Sequence, residues 1–476
     1  MDNRIRAFAC GLLAASALVA PQVALARPAT TSVEARLDRM EAELAALRGD
    51  LAQSRAEAAA ATQRAEDAET RANLAEAQSA ATVQRVAALE TKPAPAPAAP
   101  AEGFRSGNTT IRLGGYIKLL ATSTHYSDGE VATNSLGRDF YLPQTIPTGG
   151  QASAHDTDFT AKQSRFWLNL DSTVAGHALK GYLEFDFQTS PGTQGSQRTT
   201  NGYNPALRRA YMQIDRWTFG QDWTTFQYTG ALPESTDYVG GAEGTVFVRQ
   251  PLIRYSAPVG TGTTLHIALE NPESGTASLG SPTLTENGDD RLPDLAVRLA
   301  HTDKRGELSL AALARQVRVE NAGLGAQTTG WGVSAGGKLF LNADKTGDVR
   351  VMVTYGRNIG RYVGLNFAPD AVYVPATNAL ESATVLAAIG AVRVPLATGL
   401  RANLMGSYQS VDYSDALAAA SLASFNKRAW SVAANLFYSP VKNVDLGVEY
   451  RHGERKLVGG ADGSTNRIEV AAKYSF

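Results

Sequence analysis

The sequence predicts an all-β transmembrane barrel of about 16 antiparallel strands, with an N-terminal α-helical coiled-coil extension. Three observations lead there. From Thr109 onward, apolar residues alternate with polar ones in segment after segment, and the last of these ends on Phe476. The connections between segments alternate between short and long. Ahead of the alternation runs a heptad seam, cut off by a proline-alanine stretch.

An export signal comes first. Arg4 and Arg6 form a basic segment, Ala7 to Ala20 an apolar one, and Ala24-Leu25-Ala26 an A-x-A cleavage site, so residues 1–26 read as a signal peptide. The apolar run is too short to cross a bilayer as a helix. The one cysteine, Cys10, lies inside it, so the mature chain is expected to have no disulfide and no thiol chemistry. A net charge of −1 and a pI near 6.6 argue against nucleic acid as a partner. No later stretch reaches the roughly twenty apolar residues of a transmembrane helix. An exported chain of mean hydropathy −0.19 is then either soluble or a β-barrel.

Residues 27–91 change character. Val33, Leu37, Met40, Leu44, Leu47 and Leu51 step by four and three, the spacing of a coiled-coil seam. The frame continues through Ser54, Ala58, Ala61, Ala65, Ala68, Ala72, Ala75, Ser79, Thr82, Val86 and Leu89 without a slip. At 1.5 Å per residue this is a rod of roughly 85 Å. Its alanine middle buries little area, so the leucine-rich end is expected to supply most of the self-association. The plainer alternative is a single solvated helix. Lys92 to Pro100, KPAPAPAAP, reads as an extended linker, placed at 92–102 and followed by a barrel domain over 103–476.

Within that domain the period is two. Ile111, Leu113, Ile117 and Leu119 alternate with Arg112 and Lys118, and Leu183, Phe185 and Phe187 with Glu184, Asp186 and Gln188. Val349-Val351-Val353-Tyr355, Val444-Leu446-Val448-Tyr450 and Ile468-Val470-Ala472-Tyr474 follow the same rule. Ala175–Ala178, Asp215-Arg216, Ala257–Gly262, His301–Gly306, Ala343–Gly347, Pro395–Gly399 and Ser439–Asn443 read as tight turns. Thr189–Asn204, Tyr228–Thr245, Asn271–Leu292, Arg357–Ser382 and Val411–Ser424 read as long loops. Short turns on one rim and long loops on the other are the pattern of bacterial outer-membrane barrels; a secreted sandwich or β-helix lacks it. Both ends then emerge at the periplasmic rim, and the coil hangs into the periplasm. The last strand closes against the first, with Phe476 as the terminal aromatic read by the barrel-assembly machinery.

With the apolar face in outer-membrane lipid, the polar face lines the lumen. Arg112, Lys118, Arg165, Arg254, Arg298, Arg315, Arg350 and Arg401 fall on it, with Arg451 and Arg467, facing Asp171, Glu184, Asp186, Glu270 and Glu449. So polar a wall is expected to hold water, and its arginine excess suits small anionic solutes. The alternative is that these arginines pair with neighbouring acids and stiffen the barrel. The third long loop carries Glu234, Asp237 and Glu243 and is read as a constriction loop, against the alternative of an ordinary surface loop. No GxSxG, HExxH or P-loop motif occurs, and the six histidines lack metal-ligand spacing. No enzyme activity, cofactor or metal is therefore expected. The competing functional reading is a structural outer-membrane anchor whose periplasmic rod reaches towards the cell wall.

The mature chain resembles the DcaP-like trimeric outer-membrane porins. The resemblance is carried by GGYIKL at Gly114–Leu119, GQDWTTF at Gly220–Phe226 and VRQPLIRYS at Val248–Ser256. YGRNIGRYVG at Tyr355–Gly364 and ANLFYSPVKNVDLGVEYRHGER at Ala434–Arg455 add to it. It implies homotrimers of sixteen-stranded barrels, periplasmic coils, and passage of small anions such as dicarboxylates.

Because the leucine-rich end dominates the seam, Leu44→Asp with Leu47→Asp is expected to unwind the extension and leave the barrel folded. Circular dichroism should lose helix and keep strand; loss of heat-modifiable migration as well would refute the two-domain reading.

Overall fold

The computed structural model describes residues 103–476 apart from 134, 189–199 and 322–323, together with scattered positions between 41 and 63. The chain divides into two units, Met1–Pro100 and Ala101–Phe476. In the first, the described positions, among them Glu41, Leu44, Arg48 and Arg55, are α-helical. The signal peptide, most of the heptad seam and the linker lie outside the described residues.

The second unit is a closed 16-strand antiparallel β-barrel. Its strands are β1 Thr109–Tyr126, β2 in two segments (Ala154–Thr160 and Arg165–Val174), β3 His177–Asp186, β4 Ala206–Ile214, β5 Trp217–Trp223 and β6 Arg249–Gly260. They continue as β7 Thr263–Glu270, β8 Asp294–Thr302, β9 Gly306–Asn321, β10 Leu324–Phe340 and β11 Asp348–Arg357. The set ends with β12 Ala379–Ala397, β13 Leu400–Tyr413, β14 Asn426–Tyr438, β15 Val444–Leu457 and β16 Asp462–Ser475. Each pairs with the next, and β16 pairs with β1 from Tyr116↔Ser475 to Tyr126↔Thr465. The closure runs through Phe476, which exchanges backbone hydrogen bonds of 3.0 and 3.1 Å with Gly115. Its ring lies 6.0 Å from that of Phe166 and 6.3 Å from that of Tyr474.

The alternation read from the sequence decides which way each strand faces. Leu113, Ile117 and Leu119 on β1, Leu308 and Leu310 on β9, Val349, Val351 and Val353 on β11, and Ile468, Val470 and Tyr474 on β16 are all exposed. A contiguous apolar exterior of this extent is a lipid-facing surface, since a soluble chain exposes no such belt. At the inner rim the connections are tight. Ala175 (φ 52°) and Gly176 (φ 86°) form a two-residue hairpin in which both residues have positive φ.

At the opposite rim the connections 127–153, 187–205, 224–248, 271–293, 358–378 and 414–425 are long. The expected alternation fails at 322–323 and 458–461. The strands flanking 322–323, β9 and β10, have 16 and 17 residues, well beyond the roughly 9–11 that cross a bilayer. They therefore rise past the rim, and only two residues separate them in the sequence. A hairpin of Gly275–Ser278 with Ser281–Glu286 pairs in parallel with Ala371–Val374, joining two of the outer loops.

The interior is not polar throughout, as the alternation alone had suggested. On β8 to β14 the inward positions Ala296, Leu313, Met352, Val385, Ile389 and Val411 are buried and apolar. They pack under Phe226 and Val246 of loop 224–248 and under Tyr362, Val363 and Phe367 of loop 358–378. Two loops fill that side with a hydrophobic core, because desolvating the apolar faces of wall and loop together is favourable.

At Gly115 an added Cβ would lie 2.6 Å from the Arg165 carbonyl and 3.0 Å from the Phe476 ring. Gly115→Leu is therefore expected to pry open the β16–β1 seam, costing about 1–3 kcal/mol. The heat-modifiability midpoint should fall. Gly406→Ala, whose nearest neighbour is 3.9 Å away, should leave it in place, and equal midpoints would refute the seam argument.

Candidate permeation site

Loop 224–248 crosses the interior and is pinned at its start, tip and end. At its start the buried Glu270 carboxylate accepts the Thr224 hydroxyl, the Thr225 N–H and the Gln250 amide, each at 2.6 Å. The tip reaches β13, β15 and β16. Glu234 accepts the Arg401 guanidinium at 2.6–3.0 Å. Ser235 donates to Glu449 at 2.7 Å, and the Thr236 hydroxyl donates to Glu469 at 2.9 Å. The Lys118 ammonium donates to the Thr236 carbonyl at 2.5 Å and to Gln163 at 2.6 Å. Near its end Gly244 donates to Ser407 at 2.7 Å. A Cβ on Gly244 would sit 2.1 Å from the Ala388 carbonyl, so only glycine lets the loop lie this close to β12.

Loop 127–153 folds over the same tip. The Tyr141 N–H donates to Asp237 at 2.7 Å, and its hydroxyl donates to Glu243 at 2.6 Å. Phe140, Leu142 and Ile146 pack on Val239 and Ala242. Arg467 of β16 donates to the Gly137 and Arg138 carbonyls at 3.0 and 2.8 Å. Burial pushes the Glu243 carboxyl above the ordinary range, opposed by the Tyr141 hydroxyl, the Arg451 guanidinium and the Ser407 hydroxyl.

The ten basic residues expected on the wall fall into two groups. Eight have carboxylate partners: Arg112 with Asp171, Arg165 with Asp186 (3.0 Å), Arg254 with Asp222 (3.1 Å), Arg315 with Asp370 (2.8 Å), Arg350 with Asp348 (2.5 Å), Arg401 with Glu234, Arg451 with Glu449 (2.7 Å) and Arg467 with Glu469 (2.8 Å). Arg298 donates to the Gln227 carbonyl at 2.9 Å, and Lys118 to Thr236, so both clamp the loop. Arg315 is fully buried with Asp370, and Glu243 with Tyr141, so neither reaches open lumen. Asp237 is also buried, accepting from the Val239 and Gly240 N–H groups. Of the three loop acids, only Glu234 keeps a sizeable exposed fraction, 24% of its side chain. Asp237 and Glu243 are thus engaged in holding the loop, which leaves Glu234 as the loop acid most open to the interior.

Two arginines that alternation missed complete the wall. Arg208 bonds Glu184 at 2.6 Å and Asp186 at 2.8 Å, and Arg209 bonds Asp222 at 2.6 Å. Consecutive residues both find acids because the register shifts here: Glu184 pairs with Arg209 and Phe185 with Leu207, leaving Arg208 as the extra residue of a bulge. The Arg208-Arg209 doublet, two like charges where alternation allows one, was the available signal. The result is a ladder, Arg165–Asp186–Arg208–Glu184–Arg209–Asp222–Arg254, with the Tyr238 hydroxyl of the inserted loop donating to Asp186 at 3.0 Å.

A strand ring that is apolar outside and ion-paired within has lipid around it, and the protein is of the outer-membrane channel class, with the porin fold. It belongs, further, to the DcaP outer membrane protein family, whose model matches residues 104–476. Among solved structures it is similar to the outer membrane channel DcaP of Acinetobacter baumannii, at 26% identity and a TM-score of 0.65, covering 79% of this chain and 99% of that one. It also aligns with OmpT of Vibrio cholerae (13% identity, TM-score 0.48, 79% of this chain and 100% of that one). A further alignment is with an anion-selective porin from Comamonas acidovorans (12%, 0.45, 77% and 100%). No curated protein sequence matches the chain.

The raised Glu243 carboxyl gives a pH prediction. The folded state holds this proton more tightly than the unfolded chain, so the contribution to stability is full below the ordinary value of 4.5 and is lost as pH rises through the raised one. Glu243→Gln should therefore gain on the wild type in heat-modifiability midpoint as pH rises from that value to neutrality. A gap that does not move with pH would refute the assignment.

Proposed function

We propose that the protein is a porin whose water-filled channel passes small hydrophilic anions, dicarboxylates among them. We propose too that it works as a homotrimer in the outer membrane, with residues 27–91 as a periplasmic coil. The carrying observation is the charge balance along the wall from Arg165 on β2 to Arg298 on β8. Arg165, Lys180, Arg208, Arg209, Arg249, Arg254 and Arg298 stand against Asp171, Glu184, Asp186, Asp222, Glu270 and Asp294, an excess of one cation. Guanidiniums stay charged while paired and offer five N–H groups each, so a ladder whose acids occupy some of them still has donors for a passing carboxylate. Arg350 and Arg401, each partly exposed, extend this wall on β11 and β13. Pairing weakens the field that a bare count of arginines suggests, so the preference is expected to be moderate. The anchor reading draws support from the loops packed against β8 to β14, and a barrel that does not conduct would favour it.

Purified full-length protein in a planar bilayer should conduct, with a reversal potential favouring anions at low salt. The preference should weaken as salt shortens the Debye length to about 8 Å and below. Arg165→Ala with Arg254→Ala and Arg298→Ala should move the reversal potential towards cations, and Glu234→Gln should move it further towards anions. A wild-type channel that prefers cations would overturn the reading.

A further inference from the structure

His125 lies on the outward face of β1, with Leu113, Ile117 and Leu119, and His155 on the outward face of the first segment of β2. Both side chains are exposed. The register sets the two directly opposite each other. Which kind of pair they form follows from the other edge of β1. Gly115 exchanges backbone hydrogen bonds with Phe476, the Ser127 N–H donates to the Ser464 carbonyl, and the register between them does not shift. Successive residues of a strand bond to opposite neighbours, so His125, two residues from Ser127, turns its N–H and C=O towards β16. Across to β2 it is therefore a non-hydrogen-bonded pair, in which the Cα atoms approach to about 4.5 Å and the side chains lie closest. The Ser123 hydroxyl is 3.2 Å from His155 Nε2, which places that ring over β1, on the side of His125.

Two imidazoles so placed can share one metal ion, since a zinc–nitrogen bond is about 2.0–2.1 Å. Imidazole suits zinc, copper and nickel, whereas magnesium and calcium take oxygen ligands. Among the described residues no third histidine or carboxylate joins the pair, so water fills the other positions on the ion. The two histidines also stand at the neck of loop 127–153, one just before it and one just after. The neck is thinly held. Among the described residues β1 is the one strand with which Ala154–Thr160 pairs.

We propose that His125 and His155 bind one divalent transition-metal ion, with zinc as the test case, and that the ion clasps the neck of loop 127–153. The site lies on the outer surface, apart from the ion-paired wall, and does not depend on which solute the channel passes. It acts on the interior through the loop it closes, because Tyr141 of that loop donates to Asp237 and Glu243 of loop 224–248. An ion that joins β1 to β2 only when the two are paired stabilises the folded state by mass action.

The test uses the full-length protein, purified without a polyhistidine tag and dialysed against Zn²⁺ or Mg²⁺. The wild type should bind Zn²⁺, and its heat-modifiability midpoint should rise with Zn²⁺ and not with Mg²⁺. His125→Asn and His155→Asn should each lower the Zn²⁺ affinity about tenfold or more, since losing a ligand costs at least what losing an outer-shell partner does. Each should also abolish the rise in midpoint. His177→Asn, which removes the imidazole paired with Asp215 at the opposite rim, should keep that rise. Heat-modifiable migration identifies which variants are folded, and either of the first two alone suffices. A wild type that does not bind Zn²⁺, or folded His125→Asn and His155→Asn proteins with wild-type affinity, would overturn the site. Zn²⁺ binding that both variants lose, with no rise in the wild-type midpoint, would overturn the clasp.

Discussion

The hydrogen bonds between β16 and β1 are the contacts on which the rest depends. In hydrocarbon an unpaired N–H or C=O costs several kcal/mol, so a sheet with two free edges cannot remain there. The seam from Tyr116↔Ser475 to Tyr126↔Thr465 removes both edges at once. It also brings Lys118, from the start of the barrel, beside Glu469 and Glu449 near its end. The charged cluster that receives the tip of loop 224–248 therefore exists only once the ring has closed.

Closure explains why so many ions are buried at that place. A lone buried charge is expensive, and a pair repays it only when nearly every lone pair and proton is used. Glu449 meets this condition by accepting from Ser235, Thr236, Asn435 and Arg451 together. Such a cluster contributes little net stability compared with apolar packing, but it accepts one loop conformation and rejects others, since any shift strands a charge. On the other side of the barrel the same loop is held by apolar contact, Phe226 and Val246 against Met352 and Ile389. The loop is thus specified by charge where it meets β15 and β16 and stabilised by burial where it meets β11 and β12.

Which parts were legible in the sequence follows from which constraints are periodic. Lipid requires an apolar residue at every second position, whatever the partner strand. Ile468-Val470-Tyr474 and Val349-Val351-Val353 therefore announced both strand and face, and the tight turns followed. β12 gave no such signal. Its run Ala383 to Val394 is apolar on both faces, outward for lipid and inward for the loops that cover it, so its first residues read as the end of a long loop. The site was less legible for a related reason. Alternation points a side chain inward but does not name its partner, and partners come from register and loop path. Asp348 meeting Arg393 on the next strand, or Asp370 arriving from a loop to meet Arg315, leaves no trace at any fixed spacing.

Ion pairing inside a pore bears on selectivity in a way a charge count conceals. An arginine facing water alone projects its full field into the lumen, whereas one beside a carboxylate projects mainly a dipole that falls off within a few ångströms. Along Arg165–Asp186–Arg208–Glu184–Arg209–Asp222–Arg254 the signs alternate, with one more cation than anion. A solute therefore meets weak long-range attraction and strong local hydrogen bonding. Under the anion-channel function proposed above, such a wall would discriminate by contact, favouring solutes whose carboxylates replace an acid at one guanidinium after another. Specificity of this kind comes from the spacing of the rungs, and the bulge at Arg208 sets that spacing. Without the extra residue Arg208 and Arg209 would face opposite sides of β4, and the ladder would break between Glu184 and Asp186 on one side and Asp222 on the other.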